Sequence, residues 1–258
     1  MSKLEIVQIP YLNDNYAYLL HEASSSLTAV VDPGEAGPVI KAANKRGWRL
    51  TQVLATHHHG DHVGGLAELA SEYPGLEIIA GAGDAERIPG ATRILRDNEE
   101  ISIGQAKAKA IAIPGHTIGH MVYYFSETKA LFSGDALFLL GCGRLFEGGA
   151  PEMWRGLERL RALPVETLIY CAHEYTEANA RFALAIEPNN AHLAQRAKEI
   201  TGLRAAGKPT VPETLGVELK TNPFLRPDVL ELQKALGLLG HDPGEVFAEI
   251  RRRKDVFK

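Results

Sequence analysis

Four short apolar runs, far apart in the chain, each end against a side chain able to bind a metal. "QVLAT" (52–56) runs into His57, "AIAIPG" (110–115) into His116, "ALFSG" (130–134) into Asp135 and "TLIYCA" (167–172) into His173. Residues that follow strand ends share one rim of a sheet in α/β folds, and ligand sites form there. A fold that sets these runs side by side would bring four remote segments to one point.

The runs read as strands because they are short, rich in branched or aromatic residues and bounded by Asn, Asp, Pro and Gly. "LEIVQI" (4–9), "YAYLL" (16–20), "LTAVV" (27–31), "LEIIA" (76–80) and "MVYYF" (121–125) share that character. Helical periodicity falls between some of them, over 39–46, 63–73 and 153–161, so an α/β layout is expected. Past Tyr175 the pattern changes to amphipathic helices punctuated by Pro or Gly, in "TEANARFALAIEP", "NAHLAQRAKEITGLRAAG", "PDVLELQKALG" and "PGEVFAEIRRRKDVF". The expected organisation is an α/β domain over 1–174 and a helical domain over 175–258 that packs on it and helps shape its site.

With 258 residues and 45% apolar content the chain can bury a full-sized core. A formal net charge of −4 gives no reason to expect nucleic acid or an anionic membrane as a partner. The first residues lack the features of a secretory signal, and no apolar run approaches a membrane span, so a cytoplasmic location is the expectation. Cys142 and Cys171 form no Cys-x-x-Cys motif and are expected to be reduced, Cys142 as a small buried filler.

The densest stretch is "THHHGDH" (56–62). In an extended segment alternate side chains point the same way, so His57 and His59 face one ion while His58 turns away. Gly60 is expected to let the backbone turn, leaving Asp61 and His62 at the start of the next helix, aimed at a second position. Imidazole and carboxylate suit zinc and its first-row neighbours better than magnesium or calcium. Two such ions about 4 Å apart repel and need bridging anions, for which Asp135 and a hydroxide are the natural choices. Two divalent ions against Asp61, Asp135 and hydroxide leave roughly one net positive charge, which draws acyl oxygen and anionic leaving groups. A lone histidine is more often a surface or hydrogen-bonded residue, so it is the combined array that carries the metal reading. His58 and His120 read as supporting residues, Asp32 as either a partner of a ligand histidine or a turn carboxylate, and "NDN" (13–15) as a hairpin turn.

These residues resemble the metallo-β-lactamase fold hydrolases, through "THHHGDH", "PGHTIGH" (114–120), "SGDALF" (133–138) and "CAHEYT" (171–176). "LNDNYAYLL", "GDALFLLGCGRLFEG" (134–148), "TNPFLR" (221–226) and the terminal "RRRKDVF" narrow the resemblance to glyoxalase II, the hydroxyacylglutathione hydrolases. The resemblance implies a four-layer αββα sandwich with a C-terminal helical domain. It implies that His57, His59 and His116 hold one metal, Asp61, His62 and His173 the other, and Asp135 bridges. The ions would be zinc, with iron or manganese as alternatives. The implied substrate is S-D-lactoylglutathione, split to D-lactate and glutathione by a hydroxide held between two ions, with Asp61 and Asp135 as the catalytic carboxylates.

By the same resemblance Arg144, Phe146, Tyr175, Arg251 and Lys254 contact glutathione, while Arg252 and Arg253 remain a solvated helix end. Two positions depart from the family: Phe146 lacks the phenolic hydroxyl found there, and Gly60 replaces a larger residue. A monomer is expected. The alternative within the same fold is a mononuclear-iron glutathione persulfide dioxygenase, against which the helical segment 176–258 weighs. A closed structural metal module is the non-catalytic alternative. The sequence contains no Gly-x-Ser-x-Gly elbow, His-Glu-x-x-His helix or Walker loop to offer a competing chemistry.

Overall fold

The computed structural model describes residues 4–257. The first sheet contains β1 (Leu4–Tyr11), β2 (Asn15–Glu22), β3 (Leu27–Val31), β4 (Leu50–Leu54), β5 (Glu77–Gly81) and β6 (Arg93–Leu95), in that spatial order. β1 to β3 pair antiparallel and β3 to β6 parallel. Helices α1 (Ala36–Asn44), α2 (Gly60–Val63) and α3 (Leu66–Glu72) belong to this half of the chain. The second sheet contains β7 (Glu100–Ile103), β8 (Ala106–Ala112), β9 (Met121–Phe125) and β10 (Ala130–Gly134). After the small hairpin of β11 (Leu137–Phe138) and β12 (Gly141–Cys142) and helix α4 (Ala150–Arg161), β13 (Leu168–Cys171) joins the second sheet beside β10, parallel to it.

Side-chain parity sets the layers. Ala17, Leu19, Val30, Val53 and Ile78 turn one way and pack with Val39, Ala43, Leu66 and Leu69 of α1 and α3. Their neighbours Tyr18, Leu20, Ala29, Val31, Leu54 and Ile79 turn the other way, into a core shared with Ile101, Ile111, Tyr123 and Phe132 of the second sheet. Successive strand residues face opposite sides, so a strand covered on both faces must be apolar throughout. Helix α4 contributes Met153, Leu157 and Leu160 to the same apolar cluster as the second sheet and, with α1 and α3 on the first sheet, makes up the helical layers of the αββα arrangement.

The C-terminal segment is helical: α5 (Thr176–Ile186), α6 (Ala191–Ala205), α7 (Leu215–Thr221), α8 (Leu230–Leu236) and α9 (Pro243–Val256). It also supplies β14 (Glu213–Thr214), an edge strand paired with β13. Phe224, Leu232, Val246, Phe247 and Ile250 join the same core as the second sheet, and Phe247 packs 5.9 Å from Trp154 of α4. Among the described residues no helix is long and apolar enough to cross a membrane.

Several local expectations shift. The helix expected over 63–73 is broken into α2 and α3 at Gly64 and Gly65, where a Cβ would fall 2.7 Å from the Gly60 carbonyl oxygen and 2.6 Å from that of Pro33. Only glycine allows this close approach of backbones. β8 begins earlier than the apolar run because Ala-Lys alternation, with buried alanines and exposed lysines, extends it to Ala106. β6, β7, the β11–β12 pair, β14 and α7 were not foreseen, and all are short.

Candidate metal centre and its cavity

β4 ends at Leu54, the chain bends at Thr56, and His59, at φ −62° and ψ 145°, leads into α2. His59 Nδ1 lies 3.0 Å from both His57 Nε2 and His116 Nε2. Nitrogens around a tetrahedral ion with bonds of about 2.0–2.1 Å are separated by about 3.3 Å, so this trio has the spacing of ligands converging on one cation. Asp61, His62 and His173 form a second such group, with donor atoms all within 4.8 Å of one another. Asp135 stands between the two, its Oδ2 3.4 Å from His116 Nε2 and its Oδ1 3.5 Å from His62 Nε2 and 3.4 Å from His173 Nε2.

The remaining ring nitrogens explain the orientation. His57 Nδ1 is 3.0 Å from Thr56 Oγ1, which itself donates to Asp32 at 2.7 Å. His62 Nδ1 donates to Asp32 at 3.0 Å, His116 Nδ1 to the Arg144 carbonyl at 2.9 Å and His173 Nδ1 to Asp14 at 3.0 Å. Fixing Nδ1 on an oxygen leaves Nε2 as the free donor, aimed at the centre. His59, with Nδ1 inward, is the exception.

Whether the residues fit a metal can be tested on buried polar atoms. His62 Nε2 and Asp135 Oδ1 have no hydrogen-bond partner although both are buried. Such orphans cost about 1–3 kcal/mol each, and a cation between them removes the penalty. The donor set, imidazoles with carboxylates, suits a divalent cation. Burial pushes His57, His59 and His116 toward the neutral imidazole a metal requires. Burial also works against charge on His62, but the carboxylates of Asp135 and Asp32 outweigh it and raise its pKa. Asp61 is held below the usual carboxylate range by His62, whose Nε2 lies 3.5 Å from its Oδ2, and Asp135, despite burial, by the surrounding histidines.

His58 turns out of the centre and pairs with Asp84, with Nδ1 3.1 Å from Oδ2. His120 is buried, stacks on His57 at 5.0 Å and accepts from the Asp135 backbone N–H. Asp32, at φ +48°, both closes its turn and orients the histidines. Gly60 needs no special conformation: a Cβ there would meet nothing within 4 Å, so a larger residue would fit. The sequence reading missed Asp14, Asn15, Thr56 and Asp84. "NDN" was read as a hairpin turn, which it is, yet Asp14 and Asn15 also reach His173 and Asp61, Asn15 Nδ2 donating to Asp61 Oδ2 at 3.0 Å.

His59, Asp61, His116, Asp135 and His173 line a cavity of about 490 Å³ together with Arg144, Phe146, Tyr175, Arg251 and Lys254. Tyr175 stacks on His173 with centroids 4.6 Å apart. Phe146 is exposed and sets its ring 5.2 Å from His116 and 5.8 Å from His59. Arg144 is exposed, with Asp255 at 3.7 Å. Arg251 is buried and largely engaged, donating to the Cys142 carbonyl at 2.8 Å and to Asp255 at 2.8 Å. Lys254 stands over the Phe182 ring at 5.1 Å, its pKa pushed down to about 8 by burial and by Arg251, Arg181 and Arg144.

The sequence pattern of the family described as "Metallo-beta-lactamase superfamily" matches residues 11–173, and that described as "Hydroxyacylglutathione hydrolase C-terminus" matches 174–257. A protein named hydroxyacylglutathione hydrolase from Methylococcus capsulatus is 59% identical over 255 residues, 99% of each chain. The crystal structure of ETHE1 from Myxococcus xanthus shares the fold with a TM-score of 0.70 at 22% identity, over 98% of this chain and 92% of that one. The crystal structure of TTHA1623 in a di-iron-bound form matches with a TM-score of 0.62 at 25% identity, over 86% of this chain and 100% of that one. Identity sustained over nearly the full length of both sequences, with each half of the chain matching its own family pattern, places this chain in the hydroxyacylglutathione hydrolase family of the metallo-beta-lactamase superfamily.

Proposed function

We propose that the chain hydrolyses the thioester S-D-lactoylglutathione to D-lactate and glutathione at a two-metal centre. In this reading His57, His59 and His116 hold one cation, Asp61, His62 and His173 the second, and Asp135 bridges them. The ions, zinc or else iron or manganese, would supply Lewis acidity toward the acyl oxygen and a water whose pKa falls to about 7. Asp61 is the half-exposed carboxylate of the group and, held ionised, can accept a hydrogen bond from that water.

The observation that carries the substrate class is the shared cavity: Arg144 and Lys254 present cations beside the histidines, where the two carboxylates of glutathione would be held. Arg251 contributes chiefly by fixing the 142–143 backbone, Tyr175 by walling the cavity against His173, and Phe146 by an apolar face without a hydroxyl. A thiolate of pKa about 8.5 leaves with little protonation, so no dedicated acid is required. Residues 1–174 then form the catalytic domain and 175–258 the substrate-binding one. A monomer is part of this reading, and the free buried thiols of Cys142 and Cys171 are in keeping with a reducing cytoplasm.

A mononuclear-iron dioxygenase needs one metal site, and the second ligand group weighs against it. The deciding assay offers the zinc- or iron-loaded protein S-D-lactoylglutathione and, separately, glutathione persulfide with an oxygen electrode. Thioester loss without oxygen uptake is expected; oxygen uptake with an intact thioester would overturn the reading.

A further inference from the structure

Glu147 lies outside the cavity lining, yet it ties together the loops that build it. Its Oε2 accepts from the Ile118 backbone N–H at 2.7 Å, two residues past His116. The Arg87 guanidinium grips both carboxylate oxygens, Nη1 on Oε1 and Nη2 on Oε2 at 3.0 Å. Nη2 also donates to Asp84 Oδ1 at 2.6 Å. Asp84 is fully buried and accepts from the His58 backbone N–H at 3.3 Å, Thr117 Oγ1 at 2.7 Å and the Gly119 N–H at 3.0 Å. A continuous path of charge-assisted bonds thus joins the loop of His57 and His59, the loop of His116 and the 143–149 segment.

That segment carries Arg144 and Phe146, whose own side chains are exposed. Phe146 sets one face of its ring toward His116 and His59 and Arg144 meets Asp255 only at 3.7 Å, so the anchors of the segment largely decide where they stand. On one side these are the His116 bond to the Arg144 carbonyl and the Gly148 N–H on the Gly115 carbonyl at 3.0 Å. Leu145 packs against the core between them, and Glu147 adds the side-chain hydrogen bonds of the segment. An isolated surface ion pair contributes little, but a bidentate arginine that also engages a buried carboxylate and a backbone-bound partner has fixed geometry.

We propose that Arg87 and Glu147 form a latch that sets the Arg144–Phe146 wall against the histidine loops, so that the pair governs how tightly substrate is held and not the rate of bond breaking. Glu147 and Arg87 are positioning residues, and the inference rests on the glutathione-thioester reading. The test compares the metal-loaded full chain with its Glu147→Ala and Glu147→Gln variants; glutamine keeps an acceptor for Ile118 and loses the charge that Arg87 grips. KM for S-D-lactoylglutathione should rise about tenfold in the alanine variant and about threefold in the glutamine variant, with kcat within about twofold and metal content unchanged. Amide hydrogen exchange without substrate should quicken over 143–149, more in alanine than in glutamine, and stay at the wild-type rate over 56–62. Unchanged exchange over 143–149 in both variants, or a falling kcat at constant KM, would overturn the latch. Should the wild type leave the thioester intact, the functional reading fails, while the exchange measurement still decides the latch.

Discussion

His173 Nδ1 lies 3.0 Å from Asp14 Oδ1, across 159 positions of sequence. The turn between β1 and β2 thereby orients a residue that follows β13, and the contact is reinforced by the Asn15–His173 bridge and the Glu174 N–H on the Asp14 carbonyl at 2.8 Å. Carboxylates that hold the far nitrogen of a ligand histidine tune both its direction and its basicity. Asp14→Ala should therefore weaken metal binding at the Asp61, His62 and His173 position by about 10–100-fold and leave the other position near wild type. Competitive titration with a chromophoric chelator resolves the two; equal loss at both, or at neither, would count against this role.

Asp135 faces both ligand groups, with Oδ2 toward His116 and Oδ1 toward His62 and His173. Its replacement by alanine should lower kcat to below about a thousandth of wild type while far-ultraviolet circular dichroism stays unchanged. Turnover like the wild type's would remove Asp135 from the bridging position.

In the proposed reading Lys254 gives binding a pH dependence. Its folded pKa, brought down to about 8 by burial and then by Arg251, Arg181 and Arg144, means that it is charged below that pH and neutral above it. Attraction for a substrate carboxylate is present in the charged form, so kcat/KM should fall as pH rises through about 8. Lys254→Ala should raise KM about tenfold at pH 7 and abolish this limb of the profile. A profile with the same alkaline limb in the variant would assign the titration elsewhere.

Asn222 links the helical segment to the floor of the cavity. Its Nδ2 is 3.1 Å from the carbonyl oxygens of both Phe138 and Gly141, and 2.9 Å from Glu218 Oε2, all in a buried setting. Asn222→Ala strips these acceptors of a donor and should cost about 2–3 kcal/mol of unfolding free energy in urea melts. A loss under about 0.5 kcal/mol would mean that other groups satisfy the β11–β12 hairpin.

The residues of the candidate centre were legible because their four segments each follow a strand end and because His-x-His-x-Asp-His has few other uses. Their supports were not: Asp84 reaches Thr117 and Gly119 across more than thirty positions, and Asn15 reaches Asp61 across 46, with no local pattern to mark either. The layers were legible only through the family resemblance, since β2 and β3 are apolar on both faces and show no alternation. β11, β12 and β14 have two residues each and exist by tertiary pairing, below the length at which periodicity signals anything. The tail motif marks Arg251, which does line the cavity, but its bond to the Cys142 carbonyl depends on how α9 docks, which a tail motif alone does not encode.

The central claim, two cations working on a thioester, is tested most directly by titrating metal-free protein with zinc while following hydrolysis of S-D-lactoylglutathione. Activity is expected to rise until two equivalents per chain are bound and then level off. Full activity at one equivalent, or none at any ratio, would contradict it.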